Sequence, residues 1–311
     1  MPLLTIHHKT VYRYAHPVAF GEHRIMLRPR DGHDLRVLSG SLEIEPQPMR
    51  LRWIHDVFGN SVAIATFDER AQTLSFTNTT TVDHNPEEEF ALTADDPAYF
   101  YPFLYDDEEF PDLQQFITPQ YGDPNGELSA WARQFLDPDG PTPTFNILSG
   151  MTHGIRAAFT YRKRHEQGTQ HPLDTLRTGS GSCRDYALFM IEALRRLGIA
   201  ARFVSGYLFI PGDRAHGYVG GGSTHAWVQV YLPSAGWIEF DPTNGIVGTR
   251  DLIRVAVARD PRQAIPLHGT YLGGAEAFLG MDVTVSVTST LPSEEPSMPE
   301  AVDARRSGIV S

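Results

Sequence analysis

The chain has a single cysteine among its 311 residues, so no disulfide can form within it and cysteines of one chain cannot assemble a zinc site. It also lacks an excess of positive charge: 26 Lys and Arg stand against 38 Asp and Glu, a net charge of -12 with a pI near 5.5. A surface of that sign gives no footing on phosphate backbones or anionic lipid, so neither nucleic acid nor a membrane surface is an expected partner. No run reaches the roughly 18 apolar residues of a membrane span. The opening MPLLTIHHKTVYRY has no charged start followed by a long apolar stretch, as a secretory signal would. Together with the lone thiol, these absences predict a reducing, cytoplasmic setting.

The length exceeds what one core usually holds, and texture divides the chain. Residues 1–90 are rich in β-branched and aromatic residues punctuated by turn formers, and read as an all-β domain. Candidate strands are LTIHHKTVYRY, HRIMLRP, SLEIEP, MRLRWIHD, SVAIATFD and TLSFTNTTTVD, with DVFGN and DERAQ as hairpin turns. An antiparallel β-sandwich is the simplest way to cover the apolar face of such strands. Residues 91–126 form an acidic, Pro-rich connector. From 127 to 290 helical periodicity comes first, in LSAWARQFL, FNILSGMTHGIRAAFTY and CRDYALFMIEALRRLG, and strands follow in IAARFVSGYLFI, STHAWVQVYL and GWIEFDP. That order predicts an α+β core in which a Cys-bearing helix packs on an antiparallel sheet. The tail, 291–311, is too poor in apolar residues to pack and is expected to be disordered.

Chemistry concentrates at three positions. A lone cysteine is by itself usually a small buried hydrophobe, but Cys183 follows TGSGS and opens a helix whose stripe is Ala187, Met190, Ile191, Leu194 and Leu197. Glycines there let the chain turn sharply toward a substrate, and free N–H groups at a helix N-terminus favour a thiolate and can hold an oxyanion. His225 opens the strand HAWVQVYL after a Gly-Gly-Gly-Ser-Thr approach; the other histidines, in HHK, HEQGTQH and at His153 and His216, have neither zinc spacing nor a helical HExxH pattern. Asp241 ends GWIEFDPTNG, with Pro242 behind it. Strand parity tests that pairing. A three-residue turn at Pro233 to Ala235 pairs 232 with 236, so partner numbers sum to 468 and His225 and Asp241 share a face as diagonal neighbours. A four-residue loop would place them on opposite faces. The glycines of HGYVGGGSTHAW lead into a strand and carry no GKS or GKT, so they read as a mobile approach to the site and not a phosphate loop.

The order GSGSCRDYALFMIEALRRLGIAARFVSGYL, then THAWVQVYLPSAGWIEFDPTNG, resembles the transglutaminase-like superfamily, and the β-rich N-terminal segment with LRPRDGHDLRVLSGSLEIEP looks like the domain preceding this core in a bacterial subgroup. The resemblance implies a papain-like core with Cys183 as nucleophile, His225 as its base and Asp241 as the residue orienting the histidine. It implies a cysteine peptidase or amidase acting through a thioester on a peptide or protein amide substrate, with no cofactor and no metal. Amine transfer to protein glutamine uses the same residues and stays open, as does an inactive peptide-binding or assembly module. Arg184, next to the nucleophile, is an expected source of charge in the cleft. Tyr161 and the tryptophans are candidates for a second oxyanion donor, with nothing in the sequence selecting among them.

Overall fold

The structure, a computed structural model, describes residues 3–86, 91–164, 168–210, 218–219 and 221–290. The expected tail and part of the Gly-rich approach fall outside them.

Strand β1 (Leu3–Ile25) alternates buried and exposed side chains over its first half, as one covered sheet face requires. It absorbs two segments expected as separate strands. Pro17 lies where the register with its neighbour shifts, between Arg13 and Val18, so the residues that read as a break form a bulge through which pairing continues. Four further strands complete the N-terminal part: β2 (Leu35–Glu45), β3 (Arg50–His55), β4 (Ser61–Thr66) and β5 (Arg70–His84). The DVFGN turn closes the β3–β4 hairpin as expected, with the Asp56 carboxylate accepting from the Phe58 and Asn60 amides. The DERAQ segment does not close a hairpin. β1 lies between β4 and β5 and takes hydrogen bonds on both edges, giving the order β2-β5-β1-β4-β3.

The connector is more structured than its composition predicts. After β6 (Phe100–Tyr101) it carries helix α1 (Phe110–Ile117), whose Leu113 and Phe116 are buried. Helix α2 (Glu127–Arg133), strand β7 (Thr142–Pro143), helix α3 (Thr144–Ala158), strand β8 (Thr160–Tyr161), helix α4 (Pro172–Thr178) and strand β9 (Ser180–Gly181) lead to helix α5 (Cys183–Arg196). Twelve of the fourteen residues of α5 are buried, which makes it the central element of the core. Its Glu192 and Arg195 pair internally at 2.8 Å, and Glu192 also accepts from the Gln120 and Tyr121 amides, fastening the connector to the helix.

Helix α5 packs on an antiparallel sheet made of β10 (Ala201–Leu208), β11 (His225–Leu232), β12 (Gly236–Asp241), β13 (Ile246–Val247) and β14 (Leu252–Ala258), in the order β13-β12-β11-β10-β14. Ala226, Val228, Val230 and Leu232 join Phe240 and the α5 side chains in one apolar cluster. The sheet also meets the N-terminal strands, through Tyr207, Ile253 and Val255 against Leu4, Ile6, Leu35 and Val82. Asn60 seals this contact with two hydrogen bonds to the Val257 backbone.

The last two strands differ from the expected boundary at 290. β15 (Leu267–Leu272) and β16 (Phe278–Thr290) both pair with β1, so they belong by hydrogen bonding to the N-terminal sheet and not to the core. The half of β1 left open by β5 on one side is closed by β16, with Leu3 opposite Thr290. One seven-stranded antiparallel sheet results, and Tyr14, Val18, Phe20, Ile25, Leu74 and Phe76 fill its interior.

Candidate active site

Cys183 is the first residue of α5 and is 7% exposed. The turn before it is fixed on two sides. Ser180 and Gly181 pair in parallel with Thr160 and Tyr161, and Gly181 lies so close to Asp185 that a Cβ there would sit 2.8 Å from the Asp185 Cβ. Close packing, with no unusual φ angle, is what demands glycine at 181. Asp185, fully buried, then ties the turn to the helix: its carboxylate accepts from the Ser182 amide and hydroxyl, the Gln170 amide and Arg164 Nη1, each at 2.8 Å. Ser182 and Asp185 form a capping box, a pattern readable from the sequence but not singled out there.

The β11–β12 hairpin has the register that joins the other two candidates. Leu232 pairs with Gly236 and Val228 with Phe240, so partner numbers sum to 468 and His225, Trp227 and Gln229 share a face with Glu239 and Asp241. His225 and Asp241 meet at 2.8 Å through Nε2 and Oδ2, both fully enclosed. Asp241 is held in turn by the Thr243 amide and by Asn244 Nδ2, each at 2.8 Å. Asn244 is itself fixed by the Val219 amide, which donates to its Oδ1. Burial opposes charge on the ring, but the Asp241 carboxylate, followed by Cys183, more than offsets it, and the His225 pKa is raised. Asp241 is likewise desolvated, yet His225, Asn244 and the Thr243 amide hold its carboxyl below the usual range.

With Nε2 engaged by Asp241, Nδ1 is the ring nitrogen left over: it is buried and, among the described residues, makes no hydrogen bond. Cys183 lies near enough to help raise the ring's pKa. The structure therefore brings Cys183, His225 and Asp241 together at the end of the sheet where α5 begins.

Tyr161 is also at this site. Burial, with Cys183, Tyr186 and Asp241 beside it, pushes its hydroxyl up to about 12, so it remains a donor at neutral pH. The tryptophans do not compete for that role. Trp227 donates its indole N–H to Glu239, Trp131 packs on Phe135 and Phe189, Trp237 lies beneath Arg202 and against Tyr231, and Trp53 is on the N-terminal sheet.

Arg184 is buried beside the site and its charge interacts with Cys183. Its guanidinium lies over the Phe203 ring, 4.8 Å from the centroid, and donates to the Pro261 carbonyl at 2.8 Å. Of the other histidines, His8 is buried between Tyr207 and Thr10, His171 accepts from the Leu173 amide at the start of α4, and His153 contacts the Ser149 carbonyl; His216 lies outside the described residues. Asn244 and Glu239 were not anticipated. DPTNG reads as a turn, and a glutamate in the alternating run WIEFD reads as solvent-facing.

Two family models match the chain. Residues 4–83 match the bacterial transglutaminase-like N-terminal region, and residues 133–242 match the transglutaminase-like superfamily. The chain is 28% identical over 287 residues to the uncharacterized protein Rv2569c of Mycobacterium tuberculosis, covering 90% of each. Over 100 residues, 32% of this chain and 14% of the other, it is 40% identical to the protein-glutamine gamma-glutamyltransferase of Pseudomonas aeruginosa. Among solved structures, the "Putative Cysteine Protease" of Cytophaga hutchinsonii superposes with a TM-score of 0.66 at 20% identity, over 94% of this chain and 92% of that one. The chain belongs to the transglutaminase-like superfamily, in the form that carries the bacterial N-terminal region.

Proposed function

We propose that the protein is a cysteine-dependent acyl-transfer enzyme that cleaves an amide bond of a peptide or protein substrate through a thioester. The observation that carries this reading is the division of the His225 ring: Asp241 occupies Nε2 and leaves the buried Nδ1 without a partner, while Cys183, at a helix N-terminus, is near enough to act on the ring's charge. The raised pKa of His225 favours its protonated form, and a ring that takes and returns the Cys183 proton is what attack by sulfur requires. The thiolate attacks the carbonyl carbon, and the oxyanion is met by first-turn N–H groups of α5, which lack intrahelical acceptors, and by the Tyr161 hydroxyl. His225 passes its proton to the departing amine as the C–N bond breaks. Water then attacks the thioester, His225 takes the proton, and the thiolate is released with the carboxylic acid. Asp241 keeps the ring oriented and balances its charge throughout.

Hydrolysis is preferred because it needs only a wet cleft, whereas amine transfer needs an acceptor site that excludes water. The second reading, amine transfer to a glutamine, is favoured by the 40% identity to the Pseudomonas gamma-glutamyltransferase over 100 residues. Iodoacetamide alkylation of Cys183, followed against pH in the native protein, in His225→Ala and in the denatured chain, tests the common chemistry. Fast alkylation well below the free-thiol range that depends on His225 is expected; reaction only after unfolding overturns the reading. Incorporation of a labelled amine into a glutamine peptide, against release of free acid and amine, separates the two reactions.

A further inference from the structure

Trp227 lies against His225 with ring centroids 5.9 Å apart and planes 27° from parallel, so the indole presents its π face to the imidazole. The indole is pinned. A Cβ on Gly206 would sit 2.6 Å from Trp227 Cη2 and 2.1 Å from the Ile253 carbonyl oxygen, so glycine alone admits the ring there. At its other edge the indole N–H donates to Glu239, which is 0% exposed. Glu239 also accepts from Gln229 Nε2 at 2.8 Å and Arg254 Nη1 at 2.7 Å. Burial pushes this carboxyl up, yet the Trp and Arg partners can only donate, which suits an ionised carboxylate and leaves a protonated one with a hydrogen unplaced. Arg254 supplies the balancing charge, and its other nitrogen, Nη2, is gripped at 2.7 Å by both oxygens of Asp34, from the N-terminal sheet domain. Arg202 and Arg30 lie close enough to contribute to the same field, with Asp56 facing Arg30.

Carboxylate, indole and imidazole are thus in line. A negative charge on the indole N–H raises electron density over the ring face, and a cation within about 6 Å of that face is stabilised by it. Resting on the reading of His225 as the acid–base residue, we propose that Glu239 is a positioning residue that stabilises the imidazolium form of His225 through the Trp227 indole. The Asp34–Arg254 pair holds Glu239 ionised and makes the N-terminal domain a supporting part of the active site. This contribution adds to that of Asp241, which acts on the ring edge.

The test is the titration of the His225 imidazole, followed by NMR in the 15N-histidine-labelled full chain and assigned by loss of the signal in His225→Gln. Glu239→Gln and Trp227→Phe are each expected to lower the His225 midpoint by about half a pH unit or more, and the double variant is expected to lower it no further than either alone. Should Glu239→Gln not fold, Trp227→Phe removes the same N–H while keeping an aromatic face, and Asp34→Asn loosens the clamp from outside the core sheet. Loss of thermal stability with an unmoved midpoint would reduce Glu239 to a structural role and overturn the proposal. Additive shifts in the double variant would also overturn it, since Glu239 would then act on the ring directly. Alkylation of Cys183 keeps the two readings apart: an unmoved midpoint with His225-dependent alkylation sinks the Glu239 proposal alone. A moved midpoint with alkylation indifferent to His225 sinks the enzymatic reading alone.

Discussion

Asp185→Ala tests how Cys183 is placed. The substitution leaves the Ser182 and Gln170 amides without an acceptor and deprives Arg164 of its carboxylate. A buried N–H left unsatisfied costs roughly 1–3 kcal/mol, and because both amides are only partly buried the sum is about 2–4 kcal/mol. Arg164, at 20% side-chain exposure, recovers water and adds little. Against a total stability of about 5–15 kcal/mol that loss is large but survivable, so the variant is expected to fold and can be assayed. Urea unfolding measures the stability term. The local consequence is read at Cys183, two residues away: the acceleration of iodoacetamide alkylation that His225 confers should fall by about tenfold, as expected when a reacting atom shifts by a fraction of an ångström to an ångström. Asp185→Asn keeps one acceptor oxygen and should lose about half as much stability. A loss below about 1 kcal/mol in Asp185→Ala, with the His225-dependent acceleration intact, would refute the claim that Asp185 fixes the turn bearing Cys183.

Gly206→Ala, which drives a methyl group into the Ile253 carbonyl and the Trp227 ring, should cost about 2 kcal/mol or more and lower the thermal midpoint by several degrees in a melting scan. Arg184→Ala should destabilise by about 1–2 kcal/mol through loss of its carbonyl and Phe203 contacts, and should slow Cys183 alkylation at neutral pH, because its buried charge acts on the thiol; an unchanged alkylation rate would count against that coupling. For the buried pair the pH dependence has two signs. His225, raised on folding, contributes stability that is full below its unfolded value near 6.5 and is lost as pH rises through the folded value. Asp241, lowered on folding, contributes stability present above its unfolded value near 3.8 and lost as pH falls through the folded one. The unfolding free-energy difference between the native chain and Asp241→Asn, measured against pH, should therefore be greatest between those unfolded values, and a flat difference would contradict the assignment.

Much of the candidate site was legible because the features that build it are local. The loop of Pro233 to Ala235 sets strand parity, and parity alone puts His225 and Asp241 on one face. The run of apolar residues after TGSGS marks α5 and therefore the place of Cys183. The supports of the site were less legible, since their meaning depends on burial that sequence alternation does not reveal. Glu239 lies between Ile238 and Phe240 in a pattern that reads as half-exposed, yet it is enclosed, with the side chains of Trp227, Gln229 and Arg254 bonded to it. Helices α1 and α4 were missed because each is short and led by proline, a residue that reads equally well as a loop marker. The assignment of β15 and β16 to the N-terminal sheet rests on partners more than 200 residues away, which no local period encodes.

Those distant partners have a consequence for how the molecule comes into being. Because β16 hydrogen-bonds along the first half of β1, a strand made before its partners in this sheet waits for the last of them before its second edge is covered. The sheet that carries His225 and Asp241 is made in the interval, and Asp34, on which Arg254 closes, sits in a domain that is still unfinished. A chain halted or clipped before residue 278 would carry Cys183, His225 and Asp241 in full and still leave β1 with an open edge, prone to pair with a stranger. Cys183, His225 and Asp241 thus precede, in synthesis, the frame that steadies them.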